Sequence, residues 1–247
     1  INEKLIRAYE NSMYYSINVI KPNGYTIPLG DNTPFDPKNS YSDIVNDSSI
    51  EKYKLNNVCF IGTGYTIMRS NWYDLQSFFL FFSAAYHHWS HKHNDDLSLI
   101  MTYKGNDILI DCSFFGYEYD RDIVKFGYSS FAHNSLVVDD ESLGILSNQD
   151  KKYSEVGITE WNDGNDGVKV IGFNGRWESA EHYRSVIWDR KNEVVIKDSI
   201  IAKDGISHNY KLIYHFDKKI TPTIKHDKVI LEIEGQCIGI IDFKTEE

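Results

Sequence analysis

The sequence has few cysteines, and their arrangement excludes a disulfide-based fold. Cys59, Cys112 and Cys237 are widely separated and odd in number, and no CxxC pair occurs. Disulfide-rich domains need closely spaced, paired cysteines, and cysteine zinc knuckles need CxxC spacing. We therefore expect three buried thiols and no cysteine metal site.

Positive charge is also scarce. The chain has 26 Lys and Arg against 36 Asp and Glu, which gives a formal net charge of -10. Such a surface repels nucleic acid and anionic membranes, so neither is an expected partner. The same field repels an acidic polysaccharide, and a groove for one would need a local cationic or metal-bearing patch.

Apolar runs long enough to span a bilayer are absent. The most apolar stretch, residues 78–82, is short and is followed by Tyr86-His87-His88, as in a core segment. The chain begins at Ile1 without a methionine or a signal peptide. A processed or truncated N-terminus is the simplest account of that start.

The sequence is nevertheless that of a folded protein. Hydrophobic residues make up 41% and aromatic residues 14% of its 247 residues, which argues against disorder and favours strands. This length fits one large all-β domain or a domain with an appendage.

The first part of the chain has helical periodicity. Apolar residues from Leu5 to Ile20 recur mostly at intervals of three and four until Pro22-Asn23-Gly24, which predicts one amphipathic helix. Residues 25–57 are rich in Pro, Asp, Asn and Ser and have little periodicity. They predict a long connector between two structural layers.

From Val58 onward the pattern is one of short apolar or alternating runs separated by turn residues. A hairpin, for example, is predicted from 97–103, the turn Lys104-Gly105-Asn106 and the return strand 107–112. The fold predicted is mainly β, a large antiparallel β-sandwich with a short N-terminal helical segment.

Histidine is concentrated in one window. Four of the nine histidines lie in residues 87–96. If this segment enters a strand, His91 and His93 project from the same face and can converge on one ion or one substrate. HxH alone would favour the other interpretation, a His-rich surface edge.

Two further residues add to this pair. Asp111 ends the return strand of the predicted hairpin and so brings a carboxylate back beside residues 87–96, which we call the histidine segment. His133 precedes the apolar run 136–138 and would supply another imidazole from a neighbouring strand. Two neutral imidazoles with one carboxylate suit zinc, with a fourth position left for water or another side chain.

The order and spacing of these motifs resemble those of the heparinase II/III-like polysaccharide lyases. The resemblance is carried by an HxHxD-like start, a glycine hairpin, an aspartate before a Gly/Tyr loop and an HN motif entering a strand. In this sequence they are His91 to Ser98, Gly105 to Asp111, Gly116 to Tyr119 and Ala132 to Asp139.

The resemblance implies a domain organisation. Enzymes of that family have an N-terminal α/α toroid followed by a β-sandwich, and residues 22–31 look like the segment near the toroid's end. Residues 1–45 are therefore expected to be the end of a toroid plus a connector, and residues 46–247 the sandwich. Most of the toroid would then be missing from this chain, and it is an expected partner.

The resemblance also implies residue roles. The family's zinc ligands carry over to His93, Asp111 and His133, and its sandwich histidine carries over to His91 as a catalytic residue. Its tyrosine is ambiguous among three positions, and Tyr119 is preferred as the second catalytic residue. The expected substrate contacts are Trp89, Tyr117 and Tyr128.

Two hypotheses follow for function. The first is part of a periplasmic or secreted lyase that cleaves a uronic-acid-containing polysaccharide, such as a glycosaminoglycan or alginate, by β-elimination. In that family the group neutralising the uronate and another tyrosine come largely from the toroid. The second is a non-catalytic, metal-stabilised carbohydrate-binding module.

Overall fold

The protein is described by a computed structural model, which covers residues 2–32, 41–88, 90–112, 114–144 and 152–244. Within these ranges the fold is mainly β, as predicted. No helix in the described ranges combines the length and the apolar character needed to cross a bilayer.

The predicted N-terminal helix is confirmed. Helix α1 spans Glu3–Asn18, and the side chain of Asn2 caps it by accepting from the Lys4 amide. The expected connector is more structured than its composition suggested. Within it lie helix α2 (Tyr41–Asn46) and a 3-10 segment, Ser48–Tyr53. These short turns have no apolar periodicity of their own, which is why the sequence pattern did not reveal them.

The first sheet is an antiparallel meander in which each strand pairs with the next. Its strands are β1 (Asn57–Phe60), β2 (Tyr65–Arg69), β3 (Phe79–Ser83), β4 (Leu99–Tyr103) and β5 (Asn106–Leu109). The predicted hairpin is present as β4 and β5, although Asp111 lies two residues beyond the end of the return strand.

The second sheet is also an antiparallel meander, of four longer strands. They are β7 (Val156–Gly164), β8 (Gly167–Asn174), β9 (Ala180–Trp188) and β10 (Val194–Ala202). Strands β8 and β9 alternate between buried and half-buried residues, as expected for a sheet with one face on the core.

Two smaller sheets and one helix complete the fold. Strand β6 (Leu136–Val138) pairs with β11 (Tyr210–Leu212), and helix α3 (Asp122–Tyr128) precedes β6. The C-terminal strands form a three-stranded sheet of β12 (Thr221–Lys225), β13 (Lys228–Ile233) and β14 (Gln236–Asp242).

The main core lies between the two large sheets. Leu80 and Phe82 of β3 share one apolar cluster with Val170 of β8 and Val186 of β9. The opposite face of the first sheet is covered as well, because Val19 and other residues next to α1 pack on it. Strand β3 is thus buried on both faces, which explains its uninterrupted apolar sequence.

The expectation that all three thiols are buried is wrong. Cys59 and Cys112 are half-buried, and Cys237 is exposed. Cys237 lies on β14 of the small C-terminal sheet, whose strands are mostly half-buried or exposed. Burial raises the pKa of Cys112 to about 12, with a further contribution from the neighbouring charge of Asp111. That thiol is therefore unreactive at neutral pH.

Candidate functional site

The histidine segment lies between two strands and not within one. Strand β3 ends at Ser83 and β4 begins at Leu99, and His91 has a left-handed backbone with φ of 61°. The prediction that strand alternation places His91 and His93 on one face is therefore wrong. The two side chains still come together, because both reach a third residue that the sequence did not point to.

That residue is Asp31. Its Oδ2 accepts a short hydrogen bond from His91 Nδ1, and its Oδ1 accepts from His93 Nε2 at 3.1 Å. Tyr128 also donates its hydroxyl to Oδ1 at 2.7 Å. The Tyr117 hydroxyl lies 3.3 Å from His91 Nδ1. These five residues form what we call the Asp31 cluster.

The cluster combines buried and exposed groups. The side chains of Asp31 and His93 are 8% and 1% exposed, whereas that of His91 is 64% exposed. Tyr128 is buried and Tyr117 is largely exposed. His91 and Tyr117 therefore form the accessible surface of the site, and the other three residues support them from below.

Tyr119 has a different environment. Its ring packs against that of Tyr128, with centroids 5.3 Å apart, and it is largely exposed. Tyr117 is the tyrosine whose hydroxyl lies beside His91. Trp89, an expected substrate contact, lies outside the described residues.

Asp111 and His133 form a second pair next to the cluster. His133 Nδ1 lies 2.9 and 3.0 Å from the two carboxylate oxygens of Asp111. The rings of His133 and His93 have centroids 5.5 Å apart. The structure therefore brings together the three residues expected to bind zinc.

The donor atoms of these three side chains are of the types that bind zinc, but their positions are not those of a complete three-ligand site. Within the described ranges, no group of three His, Cys, Asp or Glu side chains has metal-binding geometry. However, His93 Nδ1 and His133 Nε2 are buried and have no hydrogen-bond partner among the residues that the structure describes. A buried ring nitrogen without a partner is costly, and a metal ion would satisfy it.

Electrostatics differ across the site. Burial alone would raise the pKa of Asp31, but hydrogen bonds from Tyr128, His91 and His93 lower it overall, so this carboxylate is anionic at neutral pH. Burial lowers the pKa of His93, which favours its neutral form. Burial also acts to lower the pKa of His133, but the adjacent charge of Asp111 raises it overall.

A buried charge network holds the histidine segment in place. Lys92 bonds to Asp95 and to the carbonyl of His93, and its Nζ lies 2.9 Å from Asp96. Arg176, from the loop after β8, pairs with the other oxygen of Asp96. These four charges sum to zero and are nearly fully buried, as buried ions must be if they are to be tolerated.

Two asparagines anchor the neighbouring elements. Asn94 donates to the carbonyl of Tyr128 at 3.0 Å and so fixes the end of α3. Asn134 donates to the carbonyls of Leu99 and Ile110 and accepts from the His215 amide. His133 is therefore held by its chain neighbour. These roles were not evident from the sequence pattern, since asparagine is common in loops.

Fold and site together define a β-sandwich domain that carries a cluster of His, Tyr and Asp side chains. The chain belongs to the heparinase II/III-like family, whose C-terminal domain model matches residues 59–246. No curated protein matches the chain in a search of such proteins.

Solved structures show the same fold. The heparan sulfate lyase HepC from Pedobacter heparinus has a TM-score of 0.79 at 16% identity, covering 95% of this chain and 38% of that one. A heparinase III with methylated lysines gives 0.78 at 15%, with the same coverage. Another heparinase III gives 0.69 at 13%, covering 94% and 41%. The chain thus spans about two fifths of the length of these structures.

Proposed function

We propose that this chain is the sandwich part of a lyase that cleaves a uronic-acid-containing polysaccharide by β-elimination. The observation that carries the proposal is the Asp31 cluster, which presents His91 and Tyr117 at the surface of a heparinase II/III-like domain. Because the chain spans only part of the related structures, we propose that an α/α toroid supplies the rest of the site.

Elimination requires removal of the proton at C5 of the uronate and protonation of the leaving 4-oxygen. His91 is the proposed base, since its side chain is exposed and its Nδ1 is already engaged, which leaves Nε2 for the substrate. A tyrosine hydroxyl is the proposed proton carrier for the leaving oxygen. Tyr119 was preferred from the sequence, and the contact between Tyr117 and His91 makes Tyr117 the stronger candidate.

We further propose that His93, Asp111 and His133 hold zinc. The buried Nδ1 of His93, which has no hydrogen-bond partner among the described residues, and the pairing of His133 Nδ1 with the Asp111 carboxylate support this assignment. A zinc ion bound by Asp111 would use His133 Nδ1, which faces this carboxylate. Bound zinc would order the segments that carry His91 and lend positive charge, and it need not activate water, because elimination uses no water nucleophile.

The proposed substrate is a uronate polymer with little sulfate. The net charge of -10 opposes a highly sulfated chain. Lys92, within the histidine segment, is nearly buried and neutralised by Asp95 and Asp96, so it is not free for sulfate. Such polymers are encountered outside the cytoplasm, and we propose a periplasmic or secreted location.

The test is cleavage by the full-length protein of a panel of polyuronates and glycosaminoglycans, followed by the ultraviolet absorbance of the unsaturated product. We expect absorbance to grow on at least one uronate polymer and to fall by about 100-fold or more in His91→Gln. Tyr117→Phe and Tyr119→Phe, compared side by side, identify the proton carrier. Binding without any cleavage across the panel would favour the carbohydrate-binding module and overturn the lyase proposal.

A further inference from the structure

We propose that Asp31 is a positioning residue that holds His91 and His93 in complementary tautomers, so that one offers its free nitrogen to substrate and the other to metal. The inference rests on the proposed function for the roles of the two histidines. Its geometric basis is independent of that function.

The first step is the chemistry of the acceptor. An ionised carboxylate has no proton to donate, so a neutral imidazole that bonds to it must present an N–H. His91 faces Asp31 through Nδ1, and His93 faces it through Nε2. In their neutral forms, His91 is therefore protonated on Nδ1 and His93 on Nε2.

The second step is what each ring has left. His91 keeps the lone pair of Nε2, on a side chain that is 64% exposed. His93 keeps the lone pair of Nδ1, which is buried and has no hydrogen-bond partner among the described residues. The same carboxylate thus turns one histidine outward as a base and the other inward as a metal ligand. Carboxylates that bond a ligating histidine commonly fix its tautomer in this way.

The third step is the rigidity of the carboxylate. Tyr128 donates to Oδ1 at 2.7 Å, so a third group fixes the position of Asp31. Gly30, before it, has φ of 54°, and a Cβ there would lie 2.4 Å from the carbonyl oxygen of His91. The backbone at residues 30–31 therefore contacts the backbone of the histidine segment directly, and only glycine at position 30 permits so close an approach.

Asp31 also joins separate parts of the chain. It lies outside the residues matched by the C-terminal family model, 59–246, and in the segment that follows α1. Lys21, in the same N-terminal segment, pairs with Asp107 of β5 at 2.7 Å, which attaches that segment to the first sheet. A residue contributed by the N-terminal segment thus sets the orientation of groups on the sandwich.

The test uses Asp31→Ala and Asp31→Asn, with Asp166→Asn in the exposed β7–β8 turn as the matched control. In protein labelled with ¹⁵N-histidine and stripped of metal, nitrogen chemical shifts report the tautomer of each ring, and His91→Gln and His93→Gln assign the two signals. We expect Nδ1–H for His91 and Nε2–H for His93 in the parent and in Asp166→Asn. In Asp31→Ala, we expect His91 to shift to the mixed tautomers of a free imidazole.

Asp31→Asn distinguishes a loss of histidine orientation from a loss of the fold. Asparagine has nearly the same shape as aspartate but only one acceptor oxygen. This variant should keep the fold, and it should keep the parent tautomer in no more than one of the two histidine rings. Zinc titration gives a second readout: we expect affinity to fall by about 10–100-fold in Asp31→Ala. In the full-length enzyme, kcat should fall by about tenfold or more, with KM changed much less.

Two results would overturn the role of Asp31. One is a parent spectrum in which His91 is protonated on Nε2. The other is that neither the His91 signal nor the His93 signal changes between the parent and the two Asp31 variants. The spectra and the zinc titration do not depend on catalysis. If they agree with expectation while the full-length protein cleaves no polymer, the proposed lyase function fails and the positioning role stands.

Discussion

At the scale of single residues, the site depends on the hydrogen bonds of a few buried polar groups. Asp31 accepts from three side chains and so serves two histidines and a tyrosine at once. Within the described part of the chain, His93 and His133 each retain one buried nitrogen without a hydrogen-bond partner. Such nitrogens cost free energy of folding unless something binds them, so these two positions are where a ligand should most increase stability.

The metal proposal gives a prediction at this scale. We expect His93→Ala to lower both the zinc content and the melting temperature of the purified chain, because a metal that binds only the folded state stabilises it. His226→Asn is the control, since His226 lies in an exposed turn with φ of 58°, which asparagine tolerates. Elemental analysis and thermal unfolding measure the two effects. Parent protein that is purified without chelator and contains no transition metal would contradict the assignment.

At the scale of elements, the connection between β1 and β2 packs closely against the backbone just after β3, where the chain leads into the histidine segment. Gly64 has φ of 74°, and a Cβ there would lie 2.0 Å from the carbonyl oxygen of Ala84, just after β3. Its amide bonds to the Phe60 carbonyl, and its own carbonyl accepts from the Ala84 amide at 2.7 Å. No side chain fits this position without moving backbone.

We therefore expect Gly64→Ala to destabilise the protein by about 2 kcal/mol or more. Gly62, two residues earlier in the same connection, does not have a positive φ, and no atom of the described residues lies within 4 Å of an added Cβ there. Gly62→Ala should change the free energy of unfolding by at most about 1 kcal/mol. Urea denaturation of the two variants checks this, and equal losses would show that the close approach to Ala84 is not the cause.

At the scale of the whole molecule, Arg184 links the second large sheet to the segments just before β4 and β6. It lies on β9, pairs with Asp198 of β10 at 2.7 Å and donates to the carbonyls of Leu97 and Asn134. His182 also bonds to Asp198, at 2.6 Å. Burial acts to raise the pKa of Asp198, but the charge of Arg184 and the bonds from both partners lower it to about 2.

This shift predicts acid sensitivity. Because the folded pKa lies below the ordinary value of 3.8, the pair stabilises the fold by about 2 kcal/mol above pH of about 4 and loses this as pH falls towards about 2. Asp198→Asn should be destabilised at neutral pH, and its difference from the parent should narrow across that range. Denaturation at several pH values checks it, with Asp166→Asn as control; a difference independent of pH would refute the assignment.

The sequence by itself determined the mainly β fold, the N-terminal helix and the family, because apolar periodicity and motif spacing are local properties. It also pointed to His91, His93, Asp111 and His133, which the structure places side by side. The zinc and the catalytic roles remain predictions.

Only the tertiary structure decided how these residues meet. His91 and His93 lie in the connection between β3 and β4 and not on a strand. They converge because Asp31 reaches both across about 60 residues of chain. Hydrogen bonds between such distant segments depend on how the N-terminal segment packs on the first sheet. No local pattern encodes that packing, which is why the aspartate that organises the site was not found from its sequence.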